Sequence, residues 1–263
     1  MGAIYFLVGL LASIIGAVAG IGGGIIIKPA LDLLSHYDPA TIGILSSSTV
    51  FMMAAVSLLG TVKSGLRVEK RTSLTLAAGS VIGGIIGQYT FNYLIKAVHQ
   101  DAAITFSQSG MLALLMLVIF FMVKNKEKMN TYRLHQIFLI ILIGFGLGMI
   151  GAFLGIGGGP LNIAILTLAF SMGTKEAAAN SIFIIFFSQL SSLMLVWLTE
   201  GFAGYDLSAL VYMLAGGAIG GLIGSFLSNK MPSKWVDLLF QSIIMMIFFL
   251  RLPRLKPQAL HLR

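Results

Sequence analysis

The sequence predicts an all-α polytopic membrane protein of about eight transmembrane helices, arranged as two tandem four-helix repeats whose first and fifth helices are broken. Three observations predict it. Of 263 residues, 57% are hydrophobic and only 10% charged, against about 25% charged in an ordinary soluble domain. Mean hydropathy is +0.97, and no charged residue precedes Lys28. The third observation is an internal repeat. Ile15 to Gly24, IGAVAGIGGG, matches Ile150 to Gly159, IGAFLGIGGG, at eight of ten positions with an offset of 135. Ala78 to Gly87 and Ala215 to Gly224 agree at seven of ten with an offset of 137. Self-similarity at one shift is the signature of duplication, and it divides the chain into residues 1–128 and 129–263 of one integral membrane domain.

The spans follow in order. A helix crossing a hydrocarbon core about 30 Å thick needs roughly 20 apolar residues. Apolar stretches run from Ala3 to Ala19, Thr41 to Val62, Leu74 to Ile95, Ala102 to Val123, Ile137 to Leu154, Ala177 to Leu198, Leu207 to Leu227 and Trp235 to Leu250. Ile25 to Leu34 and Pro160 to Phe170 are too short to cross and read as half-helices or re-entrant segments. Eight spans leave about 11 residues per connection, too few for a soluble domain. Ala17-Val18-Ala19 resembles a cleavage site. There is no basic segment before it, however, and the same pattern returns at Ile150 to Gly159.

Charge orients the spans, because short cytoplasmic loops collect Lys and Arg. Eight full crossings put 12 basic residues on one side and five on the other, which places both termini in the cytoplasm. Four spans per half also make the repeats parallel, about an axis along the membrane normal. If the broken helices instead return to the side they enter from, the split is 11 to 6 and the repeats are inverted.

The glycine runs carry the functional expectation. Each glycine costs a helix about 1 kcal/mol, so Gly20-Ile21-Gly22-Gly23-Gly24 and Gly155 to Gly159 interrupt it, and Pro160 marks a new helical start. Broken helices at membrane depth persist where the freed backbone lines a polar cavity, and N–H groups at a half-helix start attract anions. A central anion site is therefore expected from Gly22, Gly23 and Gly24 with Gly157, Gly158 and Gly159. Gly79, Gly83, Gly87 and Gly216, Gly220, Gly224, spaced by four, suit close helix packing instead. Neither glycine run is followed by the Lys-Ser/Thr of a nucleotide loop.

These residues resemble a known family. A duplicated four-span unit opening with GxGGG is similar to the sulfite exporter TauE/SafE family. The resemblance implies a bacterial inner-membrane transporter of anions, with sulfite, sulfoacetate and related organosulfur compounds as substrates. The first copy, GIGGGIIIKPAL, fits the pattern including Pro29; the second, GIGGGPLNIAIL, has Ala164 where that proline would stand.

Polar residues inside spans are costly and read as functional by default. Ser46, Ser47, Ser48 and Thr49 match the region of Asn180 and Ser181, with Val50-Phe51 resembling Ile182-Phe183 at an offset of 132. Of these, Ser48, Thr49, Asn180 and Ser181 are expected to complete oxyanion coordination, although hydroxyls also bond their own helix. Asn162 falls on the first turn after Pro160 and is expected at the ligand. Gln88 and Gln189 suit interhelical bonds. Lys28 neutralises a bound anion, snorkels to the interface or pairs with Asp32.

Several functions are excluded or weakened. Absent cysteine removes disulfides and thiolate chemistry, no HExxH occurs, and the +8 charge lies in loops, which argues against nucleic acid. The expected function is secondary transport of small anions, with no cofactor and no enzymatic activity. Its expected partners are the anion, the bilayer and a coupling proton or ion; homo-oligomerisation is left open. An anion channel and a non-transport scaffold are the alternatives.

Overall fold

The structure, a computed structural model, describes residues 2–34, 37–63, 69–98, 101–125, 131–153, 158–199 and 201–251. These residues form helices α1 (Gly2–Ala19), α2 (Gly24–Leu34), α3 (Pro39–Lys63), α4 (Lys70–Val98), α5 (Asp101–Lys124), α6 (Ile137–Phe153), α7 (Gly159–Phe170), α8 (Thr174–Thr199), α9 (Leu210–Lys230) and α10 (Ser233–Arg251), and no strand is found among them. Each expected span corresponds to one helix, and the two short apolar pieces are α2 and α7. Among the described residues, Gly2–Ala19, Ala40–Thr61, Thr174–Thr199 and Leu210–Lys230 are both long and apolar enough to cross a membrane. Outward-facing rows such as Ile4, Leu7 and Leu11 of α1 and Phe138 and Leu142 of α6 are exposed, a surface suited to lipid rather than water.

The α1–α2 connection decides the topology. Gly20 adopts φ +70° and Gly22 φ +72°, left-handed values that glycine reaches without steric cost. The Ile21 N–H donates to the Gly16 carbonyl at 3.0 Å, a six-to-one bond that ends α1 in the Schellman manner. The chain then doubles back. A Cβ on Gly23 would lie 3.0 Å from the Ala12 carbonyl, and one on Gly16 would lie 2.5 Å from the Gly23 nitrogen. Thus α2 returns beside α1, and α3 starts near the beginning of α1, with the Tyr37 and Tyr5 rings 5.7 Å apart. There Asp38 caps α3 by accepting from the Ala40 and Thr41 N–H groups at 3.0 and 3.1 Å. The Thr41 hydroxyl, donating to the same carboxylate, holds it below the usual carboxylate range.

Packing glycines fix the remaining directions. Along α9, Gly216 abuts Phe6 and Leu10 of α1, Gly220 abuts Leu10 and Ile14, and Gly224 abuts Ile14 and Ala17. The two helices therefore run the same way. Gly217 meets Thr49 and Gly221 meets Met53 of α3, so α3 shares that direction. Likewise, Gly79, Gly83 and Gly87 of α4 abut Ile141, Phe145 and Met149 of α6. These contacts are the first set shifted by the repeat offsets, as Gly144 against Leu76 repeats Gly9 against Met213. The spacing of four thus serves close helix approach.

Helices α3 and α8 are antiparallel. Phe51 stacks on Phe186 with centroids 5.0 Å apart, while Ile44 and Ser48 share a groove with Met194 and Trp197. The two halves accordingly run in opposite senses. The parallel arrangement expected from four spans per half is corrected to an inverted one, because α2 and α7 turn back and leave three further helices, an odd number, in each half. The repeat register is corrected as well: Val50-Phe51 pairs with Ile185-Phe186, at the offset of 135 set by the glycine runs, rather than with Ile182-Phe183. Helices of the two halves, residues 1–128 and 129–263, pack mainly on one another, α4 on α6 and α1 on α9 most extensively.

The start of α1 and the end of α10 come to one end of the bundle, here the terminal end. Of the eleven Lys and Arg among the described residues, Lys63, Lys70, Arg71, Lys124, Arg133, Lys175, Lys230 and Lys234 fall at the opposite, basic end.

Candidate functional site

The two interruptions meet. A Cβ on Gly159, the first residue of α7, would overlap the Ile21 carbonyl oxygen between α1 and α2. The backbones touch where the two hairpin tips cross. Gly158 precedes α7 at φ +77°, and the Asn162 N–H donates to its carbonyl at 2.8 Å. At the other tip, Ile26 and Ile27 donate to the Gly23 carbonyl at 3.0 and 2.9 Å. The preceding N–H groups of α2 have no acceptor within the helix.

Beside this crossing, toward the terminal end, lies a cavity of about 70 Å³, room for a few waters or one small ion. Gly22 and Gly24 form one wall with Lys28 of α2. Ser46, Ser47 and Val50 come from α3, Gly84 and Gln88 from α4, and Ser188, Gln189, Ser191 and Ser192 from α8. Gln189, which lines this cavity, is only 7% exposed. The Ser191 hydroxyl donates to the Ser188 carbonyl at 2.9 Å. The hollow is thus lined by one lysine, two glutamines, several serines and the start of α2. Among its lining residues there is no carboxylate, and the balance of donors and charge favours an anion.

Sequence-predicted residues divide three ways. Gly22, Gly24 and Lys28 line the cavity. Gly159 meets Ile21 at the crossing, Gly23 packs on Ala12 within the first hairpin and Gly158 precedes α7; none of the three is among the lining residues, and Gly157 lies outside the described residues. Ser48, Thr49, Asn162, Asn180 and Ser181 are not among the lining residues. Ser48 faces an apolar groove with Phe51 and Trp197. The Thr49 hydroxyl donates to its own helix at Leu45, 2.7 Å away. Asn162 is 2% exposed beneath Gly158. The Ser181 hydroxyl, fully buried, faces the Gly159 carbonyl at 3.5 Å. Asn180 is a latch between α8 and the start of α4. Its carbonyl oxygen accepts from the Glu69 N–H at 3.0 Å and from the Ser73 hydroxyl, and its NH₂ donates one turn back along α8, to the Glu176 carbonyl 2.7 Å away. With both ends of the amide engaged it has little left for a ligand.

Gln88 and Gln189, expected as interhelical bonds, and the serines of α8 also line this cavity. Their signal was Ser188-Gln189 and Ser191-Ser192 in one apolar helix, four polar residues at a spacing that returns to one face.

Among known proteins, the sulfite exporter TauE/SafE family matches residues 5–251 of this chain. The chain is similar to the "Probable membrane transporter protein YunE" of Bacillus subtilis (strain 168), 26% identical over 93% of this chain and 94% of the relative. It is also similar to the "Probable membrane transporter protein YdhB" of the same organism, 25% identical over 87% of this chain and 89% of the relative. No solved structure matches. With a match spanning almost its full length, paired broken hairpins and a membrane-suited surface, the chain belongs to the sulfite exporter TauE/SafE family of membrane transporters.

Proposed function

We propose that the protein is a secondary transporter of small oxyanions, of the sulfite or organosulfonate kind, bound in the cavity beside the crossed hairpin tips. The observation that carries this is the convergence of Lys28, Gln189, the serines of α3 and α8 and the start of α2 on one hollow. The family match supports membrane transport, and the lining chemistry supports an anion. Flux is driven by an ion gradient, because no nucleotide loop occurs in the sequence. The channel alternative differs in kinetics and is an outcome of the test below.

The setting is the bacterial inner membrane, crossed by the full-length helices with α1–α2 and α6–α7 as hairpins entering from opposite sides. By the positive-inside tendency the basic end faces the cytoplasm, so both termini lie outside. This reverses the orientation expected from eight full crossings. The cavity, on the terminal half, then opens outward.

Purified protein in liposomes should take up sulfite, sulfoacetate or a related small anion with saturable, trans-stimulated kinetics, compared across a panel with thiosulfate, sulfate and small carboxylates, with and without a pH gradient. Dependence on the gradient identifies a coupling proton. Non-saturating flux would support a channel, and no flux of any anion would overturn the proposal.

A further inference from the structure

The inverted repeats make a comparison possible that neither half offers alone. Each contact at the basic end has a repeat mate at the terminal end, and one set of mates differs sharply. At the basic end α3 and α9 are closed on each other. A Cβ on Gly221 would lie 2.7 Å from the Met53 carbonyl and 3.2 Å from the Ser57 hydroxyl, and that hydroxyl donates to the Gly221 carbonyl at 3.1 Å. One turn on, a Cβ on Gly60 would lie 2.5 Å from the Ser225 hydroxyl.

Shifted by the repeat offsets, Met53, Ser57 and Gly60 of α3 become Ser188, Ser192 and Leu195 of α8, while Gly221 and Ser225 of α9 become Gly84 and Gln88 of α4. All five mates line the cavity. A Cβ on Gly84 would meet nothing of α8; its one neighbour is the Gly148 carbonyl of α6, 3.9 Å away. Yet α4 and α8 are joined at the basic end by Asn180 with Ser73 and Glu69. The pair is thus pinned at one end and parted at the other, whereas α3 and α9 are in contact from Thr49 with Gly217 to Gly60 with Ser225. Gly84 is as small as Gly221, so the parted faces have the shape to close.

We propose that the α3–α9 contact, Ser57 and Gly60 against Gly221 and Ser225, is the closed gate of the transport path on the basic side. The facing residues Gly84 and Gln88 of α4 and Ser192 and Leu195 of α8 are its counterpart, the gate that shuts when the first one opens. This rests on the cavity being the transport site. The hydroxyl of Ser57 is a positioning group: it holds the gate shut and touches no substrate. Ser192, its mate, makes the equivalent bond to Gly84 in the other state. Exchange of the two halves' conformations in this way follows from inverted-repeat geometry, and the alternation exposes the same hollow to either side of the membrane.

Because the chain has no cysteine, engineered pairs report without background. In Gly60→Cys/Ser225→Cys, the Cβ of residue 60 would stand 3.1 Å from that of residue 225, near the separation of about 3.5–4.5 Å that a disulfide uses. Oxidation should be rapid and should stop transport, with full recovery on reduction. In Gly84→Cys/Ser192→Cys, cross-linking should be slow and limited by closure of the terminal side. Adding Ser57→Ala to that pair removes one gate hydrogen bond and should speed cross-linking roughly fivefold, the population shift that one net hydrogen bond of about 1 kcal/mol gives. An unchanged cross-linking rate with Ser57→Ala, or undiminished transport by the oxidised first pair, would overturn the gate. The cross-linking arm needs no transported anion, so it separates a wrong gate from a wrong substrate, and it stands if the first pair fails to fold.

Discussion

Replacing Lys28 with alanine is expected to cut anion uptake by about tenfold to a hundredfold while leaving the protein folded in the membrane. The range follows from removing a charge-assisted hydrogen bond of about 1.5–3 kcal/mol, at about 1.4 kcal/mol per tenfold. Lys28 is half-buried and lines the cavity, so its truncation removes the one cationic head among the lining residues without opening a core void. Lys28→Arg retains the charge and should keep part of the activity, limited by the larger planar head in a hollow of about 70 Å³. Proteoliposome uptake, with thermal melting of each variant, separates loss of binding from loss of fold. Full activity in Lys28→Ala would place anion recognition elsewhere.

Gly159→Ala should have the opposite signature, losing transport and stability together. A methyl group there overlaps the Ile21 carbonyl oxygen, and backbone on the other hairpin has no rotamer to yield. Forced overpacking costs about 1–3 kcal/mol, and here it also separates the tips whose contact positions Gly22 and Gly24. Gly43→Ala is a matched control, since a Cβ there meets nothing within 4 Å. Melting temperature and uptake of the two variants, side by side, check the expectation. A Gly159→Ala protein with normal melting and normal flux would mean that the crossing carries no functional weight.

Much of this fold was legible because lipid imposes strict terms. Length and apolarity marked the span helices, and four glycines within five residues in each half marked a break that no packing period explains. What the glycines could not reveal was the direction of the chain beyond them. A glycine at φ +70° permits a reversal, but it is Gly23 settling against Ala12 and Gly16 that selects one, and that contact is tertiary. The choice propagates: a returning α2 inverts the second repeat and puts the start of α1 and the end of α10 at the less basic end. The register slipped for a local reason. Residues Ile182 to Phe187 read IFIIFF, so Val50-Phe51 finds two matches there, and stacking of Phe51 on Phe186 picks the second.

The candidate site was partly legible. Glycines and Lys28 follow from backbone physics, and three of them line the cavity. An amide in an apolar span announces that it needs partners, yet the sequence does not name them. Asn180 spends its amide on Ser73 and Glu69, while Gln189, nine residues further along the same helix, turns into the hollow. Nine residues at about 3.6 per turn put the two on opposite faces of α8, and the contacts of Ser73 and Glu69 mark which of them is the latch.

A single cysteine at Ser47, in the cavity wall of the cysteine-less protein, offers the sharpest measurement. Reconstituted in vesicles, Ser47→Cys should react with a membrane-impermeant thiol reagent applied from the side bearing the termini, and a transported anion should slow that reaction in proportion to its occupancy. A thiol that is unreactive from both sides, or one whose labelling no anion in the panel slows, would contradict a water-accessible anion site at the crossing of the two hairpins.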